Sequence, residues 1–212
     1  FHPGQFCVLA SDNPQVVENS IYEFEYHCDM IRMMGFGKNF QDFKCNVHIG
    51  GKGGPQGIVY ALKKLSKTAK NVLTIENDEF KWGLESSLEL VDHCALVLDI
   101  HHHLIRTGEY IHPSDPRIDA VKESWRGVRP VIHYSVSREE ALDGWDTNVL
   151  PNITELTQEL DFTKTQLRAH SNYYWNKASN NWAYSFSADF DIMLESKMKD
   201  LAHKKFCIEL GH

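Results

Sequence analysis

Twelve histidines occur in this chain of 212 residues, and several fall beside carboxylates. The side chains able to do chemistry are His2, His48, Glu76, Asp99, His102, His133, His170 and Glu195, spread over nearly the whole length. Imidazole nitrogen and carboxylate oxygen without thiolate suit Mn²⁺, Zn²⁺ or Fe²⁺ in a site that keeps positions open for a reactant. The set is larger than one ion needs, so two or three ions sharing bridging carboxylates are expected. Two ions about 3.5–4 Å apart stabilise both the attacking and the leaving oxygen of a phosphoryl displacement. Each residue also has an ordinary role open to it. Asp99 could cap a helix, Glu76-Asn77-Asp78-Glu79 could be an acidic loop, and a single histidine more often makes a hydrogen bond than ligates. As a set they point to metal, because acids at consecutive strand ends repel one another without a cation between them. His101 and His103 flank His102, and strand alternation would turn them elsewhere. His27, His93, His112, His203 and His212 fall in helices, loops or the tail and are assigned to structure.

The elements that must position these residues are short apolar runs alternating with amphipathic stretches. Cys45–His48, Val72–Glu76, Ala95–Asp99, Val131–His133 and Phe190–Glu195 have the character of strands buried on both faces. A helix is expected after Asn13-Pro14, with Val17, Ile21, Phe24, Cys28 and Ile31 at helical spacing and Gly35 and Gly37 as its stop. Further helices are expected at Pro55–Lys67, Leu84–His93, Arg117–Trp125 and Lys197–Lys204. Strands alternating with helices imply βαβ units and a parallel sheet. Nearly every strand closes on His, Glu or Asp, as at the C-terminal face of a (β/α)₈ barrel. A doubly wound sheet would instead concentrate function at one glycine-rich loop, and no G-x-G-x-x-G or P-loop is present. The fold expected is therefore α/β, a TIM-type barrel forming a single domain over residues 1–212.

Composition sets the outer limits. The chain is 42% hydrophobic and 24% charged, with 22 basic against 29 acidic side chains and a net charge of −7. That excludes a disordered chain. No apolar run reaches the roughly 18–20 residues that span a bilayer, so no membrane partner is expected. The cysteines (Cys7, Cys28, Cys45, Cys94 and Cys207) are odd in number and never paired as C-x-x-C, which suits a reduced, intracellular protein. Lys52, Arg106, Arg126, Arg129, Arg138, Lys164 and Arg168 lie in or near the expected strand-end loops and could form a phosphate-binding rim on an acidic body.

In order along the chain run His2-Pro3-Gly4-Gln5-Phe6, His48-Ile49-Gly50-Gly51, Glu76-Asn77-Asp78, Asp99-Ile100-His101-His102, His133-Tyr134-Ser135, Ala169-His170-Ser171 and Met193-Leu194-Glu195-Ser196-Lys197. This ordered set resembles the UV damage endonuclease family, whose barrel and metal site are similar to those of the endonuclease IV class. The resemblance runs from the first residue to about Ala202. It implies a DNA repair endonuclease that nicks damaged double-stranded DNA 5′ of UV photoproducts and other lesions. It implies two or three divalent ions, Mn²⁺ first and Zn²⁺ second. By the same resemblance His2, His48, Glu76 and Glu195 hold one ion, while Asp99 and His133 hold another with Glu76 and Glu195 bridging. His102 and His170 hold the third. A metal-activated hydroxide would attack the phosphodiester, with Glu76, Glu195 and His2 as the catalytic side chains. Gln5 and Phe6 match a pair that probes the lesion, where an aromatic ring can stack or wedge beside a base; packing of Phe6 in the core is the competing role.

Three departures from the family pattern stand out. Val131 occupies a position that is Lys in the family, so the metal set or its electrostatics must differ. Phe6 replaces the commoner Tyr. The first two βα units of the barrel are not represented, which leaves a missing N-terminal segment or a second chain to complete it. Two other functions fit the same residues. One is a xylose-isomerase-like sugar isomerase or epimerase, with Trp82, Trp125, Trp145, Trp175 and Trp182 closing a sugar pocket. The other is a non-catalytic truncated relative that binds metal or DNA.

Overall fold

The computed structural model describes residues 1–4 and 6–211. In chain order the elements are α1 (Pro14–Met33), β1 (Cys45–His48), α2 (Gly54–Leu62), α3 (Lys67–Val72), β2 (Leu73–Glu76), α4 (Leu84–Leu88), β3 (Ala95–Asp99), α5 (Ile100–Thr107), α6 (Pro116–Ser124) and β4 (Val131–Tyr134). After a 3₁₀ turn at Glu139–Leu142 come α7 (Ile153–Gln158), α8 (Lys164–Leu167), α9 (Lys177–Tyr184), β5 (Asp191–Leu194) and α10 (Lys199–Glu209). The architecture is α/β with parallel strands separated by helices, the succession of a TIM-type fold. Two compact units are distinguishable, one of residues Phe1–Leu98 with Ser114–Pro130, the other of Asp99–Pro113 with Val131–His212. No helix among the described residues is long and apolar enough to cross a membrane.

In the first unit β1, β2 and β3 pair in parallel, with His48 opposite Glu76 and Glu76 opposite Val97. Every residue of β2 and β3 is buried, as continuous apolar runs in a parallel sheet require. Helix α1 starts on Asn13, whose side chain accepts from Gln15 N, and stops at Gly35 with φ +92°. Its buried face is Val17, Ser20, Phe24, Cys28 and Ile31. Ser20 takes a buried position in place of the expected Ile21 because its hydroxyl is paired, donating to Val16 O at 2.7 Å and accepting from Val8 N at 2.8 Å. At the end of α6, Ser124 Oγ accepts from Leu96 N at 2.9 Å and Trp125 Nε1 donates to Leu96 O at 2.7 Å, fixing the middle of β3. Trp125 is thus a core residue.

The helix expected over Pro55–Lys67 ends at Leu62, and a second, unexpected one, α3, begins at Lys67. Ser66 caps α3, accepting from Ala69 N while its own N–H and hydroxyl donate to Glu25. The helix expected at Leu84–His93 ends as α-helix at Leu88. The loop after β1 needs glycine at Gly51, where φ is +93° and a Cβ would lie 2.3 Å from Ala10 O. Gly53 N then donates to Ala10 O at 2.8 Å, tying this loop to the N-terminal segment.

In the second unit β4 and β5 pair in parallel, Val131 opposite Asp191 and Tyr134 opposite Leu194. Beyond the paired residues Glu195 N donates to Tyr134 O at 2.9 Å. An antiparallel bridge between Ser137 and His170, with Ser171 N donating to Val136 O at 2.9 Å, draws the His170 loop onto the continuation of β4. Tyr134 is fully buried, stacks on Tyr174 and donates to Asn180 Oδ1 at 2.8 Å. Trp175 and Trp182 spend their indole N–H groups on Ser137 O and Ile111 O.

Candidate metal centre

His2, His48 and Glu76 come together in the first unit. Phe1 O accepts from Asn46 N at 2.9 Å, which lays the N-terminal residues beside β1 and brings His2 next to His48. The two imidazoles meet edge to face, centroids 5.1 Å apart. Both face one carboxylate oxygen: His48 Nε2 is 3.7 Å and His2 Nε2 3.9 Å from Glu76 Oε2. One ligand atom from each of the three lies within 4.8 Å of the others. Glu76 is almost sealed, its side chain 1% exposed against 44% for His48.

Tautomer and orientation are set from behind. His2 Nδ1 lies 2.9 Å from Pro3 O, and a carbonyl can only accept, so Nδ1 carries a proton and Nε2 is the ring nitrogen turned toward Glu76. Asn46 Nδ2 donates to Glu76 Oε2, and Thr74 Oγ1 donates to Asn46 Oδ1 at 2.8 Å. Asn46 and Thr74 went unremarked in the sequence. Their signal was the period-two pattern of strands, which puts Asn46 on the face of His48 and Thr74 on that of Glu76.

In the second unit Asp99 is fully buried and caps α5, its Oδ1 accepting from His102 N at 2.7 Å. Its Oδ2 lies 3.6 Å from His102 Nδ1. His133 Nδ1 is 3.0 Å from Glu195 Oε1. His170 is half-buried, its ring 6.3 Å from that of His101.

The run His101–His103 is helical, so strand alternation does not apply to it. Ser137 Oγ donates to Leu167 O at 2.6 Å, and with its proton spent it accepts from His101 Nε2 at 3.2 Å. His101 Nδ1 then accepts from Ser135 Oγ at 2.8 Å. This neutral tautomer agrees with a pKa held well below the ordinary imidazole value by burial, and further by His102 and His170. His103 is buried with Nε2 3.0 Å from Glu109 Oε2. His102 is the member of the run that lies against the Asp99 carboxylate.

Phe6 is 79% exposed, which removes core packing as its role. Gln5 lies outside the described residues. Val131 opens β4, buried and apolar, two residues before His133. Arg126 does not join a strand-end rim. Its guanidinium lies over the Phe40 ring and donates to Asp92 O, groups that precede β1 and β3.

The donors fit a divalent ion. They are nitrogen and oxygen only, their ligand atoms converge, and a buried carboxylate with two imidazoles turned on one oxygen is the arrangement a cation stabilises.

The model of the family described as UV-endonuclease UvdE matches residues 1–212. The UV DNA damage endonuclease of Bacillus cereus is 28% identical over 221 residues, covering 100% of this chain and 61% of that protein. The UV DNA damage endonuclease of Bacillus thuringiensis subsp. konkukian gives the same identity and coverage. The chain thus spans 61% of the length of these curated relatives. The crystal structure of SacUVDE superposes with a TM-score of 0.68 at 25% identity, over 99% of this chain and 64% of that one. Endonuclease IV from Thermus thermophilus gives a TM-score of 0.62 at 15% identity, over 99% of this chain and 74% of that one, a likeness of fold.

Proposed function

The chain belongs to the UV-endonuclease UvdE family, and from that premise we propose that it is a DNA repair endonuclease, nicking double-stranded DNA 5′ of UV photoproducts and other lesions. The observation that carries this beyond family membership is the convergence of His2 and His48 on one oxygen of the buried Glu76.

His2, His48 and Glu76 would hold a divalent ion, Mn²⁺ by first choice and Zn²⁺ by second, and Asp99, His102, His133, His170 and Glu195 are donors of the same kind for one or two more. Such ions, when bound, supply positive charge to a phosphoryl oxygen and acidify water. The protein's own contribution is placement. Asn46 donates to Glu76, which favours the ionised carboxylate despite its burial. His2 turns Nε2 toward Glu76 while its Nδ1 donates to Pro3 O. Glu195 differs from Glu76 in being 24% exposed. It is a carboxylate that solvent reaches, with His133 Nδ1 against it at 3.0 Å. Glu76 thus supplies sealed negative charge, and Glu195 a donor open to water.

Supercoiled plasmid, UV-irradiated or untreated, is incubated with the chain and Mn²⁺ and resolved by electrophoresis. The irradiated plasmid should relax and the untreated one should not, and Glu76→Gln should abolish the difference. Equal nicking of both plasmids, or none, overturns the assignment.

A further inference from the structure

The turn after β2 is built more firmly than a surface loop requires. Asp78 Oδ1 accepts from three successive backbone N–H groups, those of Phe80 (2.8 Å), Lys81 and Trp82 (3.1 Å), and Asp78 N donates to Trp82 O at 2.9 Å. Trp82 Nε1 donates to Gly51 O at 2.6 Å, and its ring lies against Gly54, where a Cβ would meet it at 2.5 Å. The loops after β1 and β2 are thereby locked together at the strand ends that carry His48 and Glu76. The turn presents Phe80, 51% exposed, and Lys81, whose ammonium lies 4.8 Å over the Trp82 ring. Lys52, from the loop after β1, pairs with Asp12 at 2.7 Å. The Lys52 hydrogen bond holds the Asp12 carboxyl below its ordinary value.

We propose that Lys52, Lys81 and Phe80 form a DNA contact beside the candidate centre, the ammonium groups taking backbone phosphates and the Phe80 ring stacking on a base that the lesion has loosened. This rests on the endonuclease assignment and extends it to residues outside the metal set. In a chain of net charge −7, lysines on two loops joined by the Trp82–Gly51 hydrogen bond, one of them next in sequence to an exposed aromatic, supply the cation and ring that single-strand contacts use. The Lys52–Asp12 pair is solvent-exposed and weak, so exchanging Asp12 for a phosphate costs little. Because the Asp78 hydrogen bonds hold the turn beforehand, binding does not have to order it.

The test is fluorescence anisotropy of the 212-residue chain with labelled duplexes, irradiated and untreated, without added metal, across about 50–200 mM salt. Lys81→Ala and Lys52→Ala should each weaken both duplexes alike and reduce the slope of log K against log salt by about one. Phe80→Ala should leave the slope intact and weaken the irradiated duplex about tenfold, with rescue by Phe80→Trp and none by Phe80→Leu. Unchanged slopes in the lysine variants, or rescue by Leu as good as by Trp, overturns the contact while leaving the endonuclease assignment standing. Failure of the unsubstituted chain to bind either duplex overturns both.

Discussion

Asn46 donates its side-chain amide to Glu76 Oε2, the same oxygen that lies 3.7 Å from His48 Nε2 and 3.9 Å from His2 Nε2. A neutral residue one strand away therefore fixes the orientation of this buried acid. Thr74, opposite Asn46 in the ladder, fixes Asn46 in turn.

Asn46→Ala should therefore weaken Mn²⁺ binding about ten- to a hundredfold, the usual effect of removing a group that orients a metal ligand. Titration of Mn²⁺ followed by electron paramagnetic resonance measures it. Asn46→Asp should do worse, since a second carboxylate beside Glu76 raises the cost of ionising either. Affinity equal to that of the unsubstituted chain would show that Asn46 has no part in holding Glu76.

Gly51→Ala tests the joint between the β1 loop and the N-terminal segment. The new Cβ would have to share space with Ala10 O, at a φ of +93° that alanine rarely adopts. The variant should lose about 2 kcal/mol or more in urea unfolding. The joint also carries the Trp82 hydrogen bond to Gly51 O, so Trp82 fluorescence should become more solvent-exposed. A stability within about 0.5 kcal/mol of the unsubstituted chain would mean the loop relaxes without cost.

The features legible in the sequence were those set by neighbours along the chain. His48, Glu76 and Asp99 end β1, β2 and β3 as expected, because unbroken apolar runs announce strands buried on both faces. What escaped depended on partners distant in sequence. Helix α3 was not expected, because it starts on Ser66, which is held by Glu25, 41 residues away. Helix α5 begins directly on Asp99 with no glycine or proline to mark the change, so the three histidines after it were given strand geometry. Which of those rings meets Asp99 follows from helical pitch and from Ser135 and Ser137, more than thirty residues on. The Asp78 turn was visible only as an acidic stretch, because its purpose lies in backbone N–H groups that a sequence does not display.

Burial of the thiols gives a pH dependence with a definite sign. Cys7, Cys28, Cys45 and Cys94 are each pushed from 9.0 to about 12, burial being the largest cause in every case. The folded chain keeps thiol protons that the unfolded chain releases once the pH passes 9. Stability from these groups is thus fully present below pH 9 and is lost as the pH rises toward 12, by about 1.4 kcal/mol per pH unit for each thiol. Urea midpoints should be flat near pH 8 and fall steeply above 9, and Cys28→Ala should make that fall shallower even though it lowers the starting midpoint. Thiol labelling at pH 8 gives an independent check. Cys207 is half-buried and the other four cysteines are buried, so one thiol should react in the native chain and the rest only on unfolding. Rapid native labelling of Cys45 would be the most damaging outcome, since Cys45 opens the strand that carries Asn46 and His48, and a reactive thiol there would mean that β1 opens to solvent.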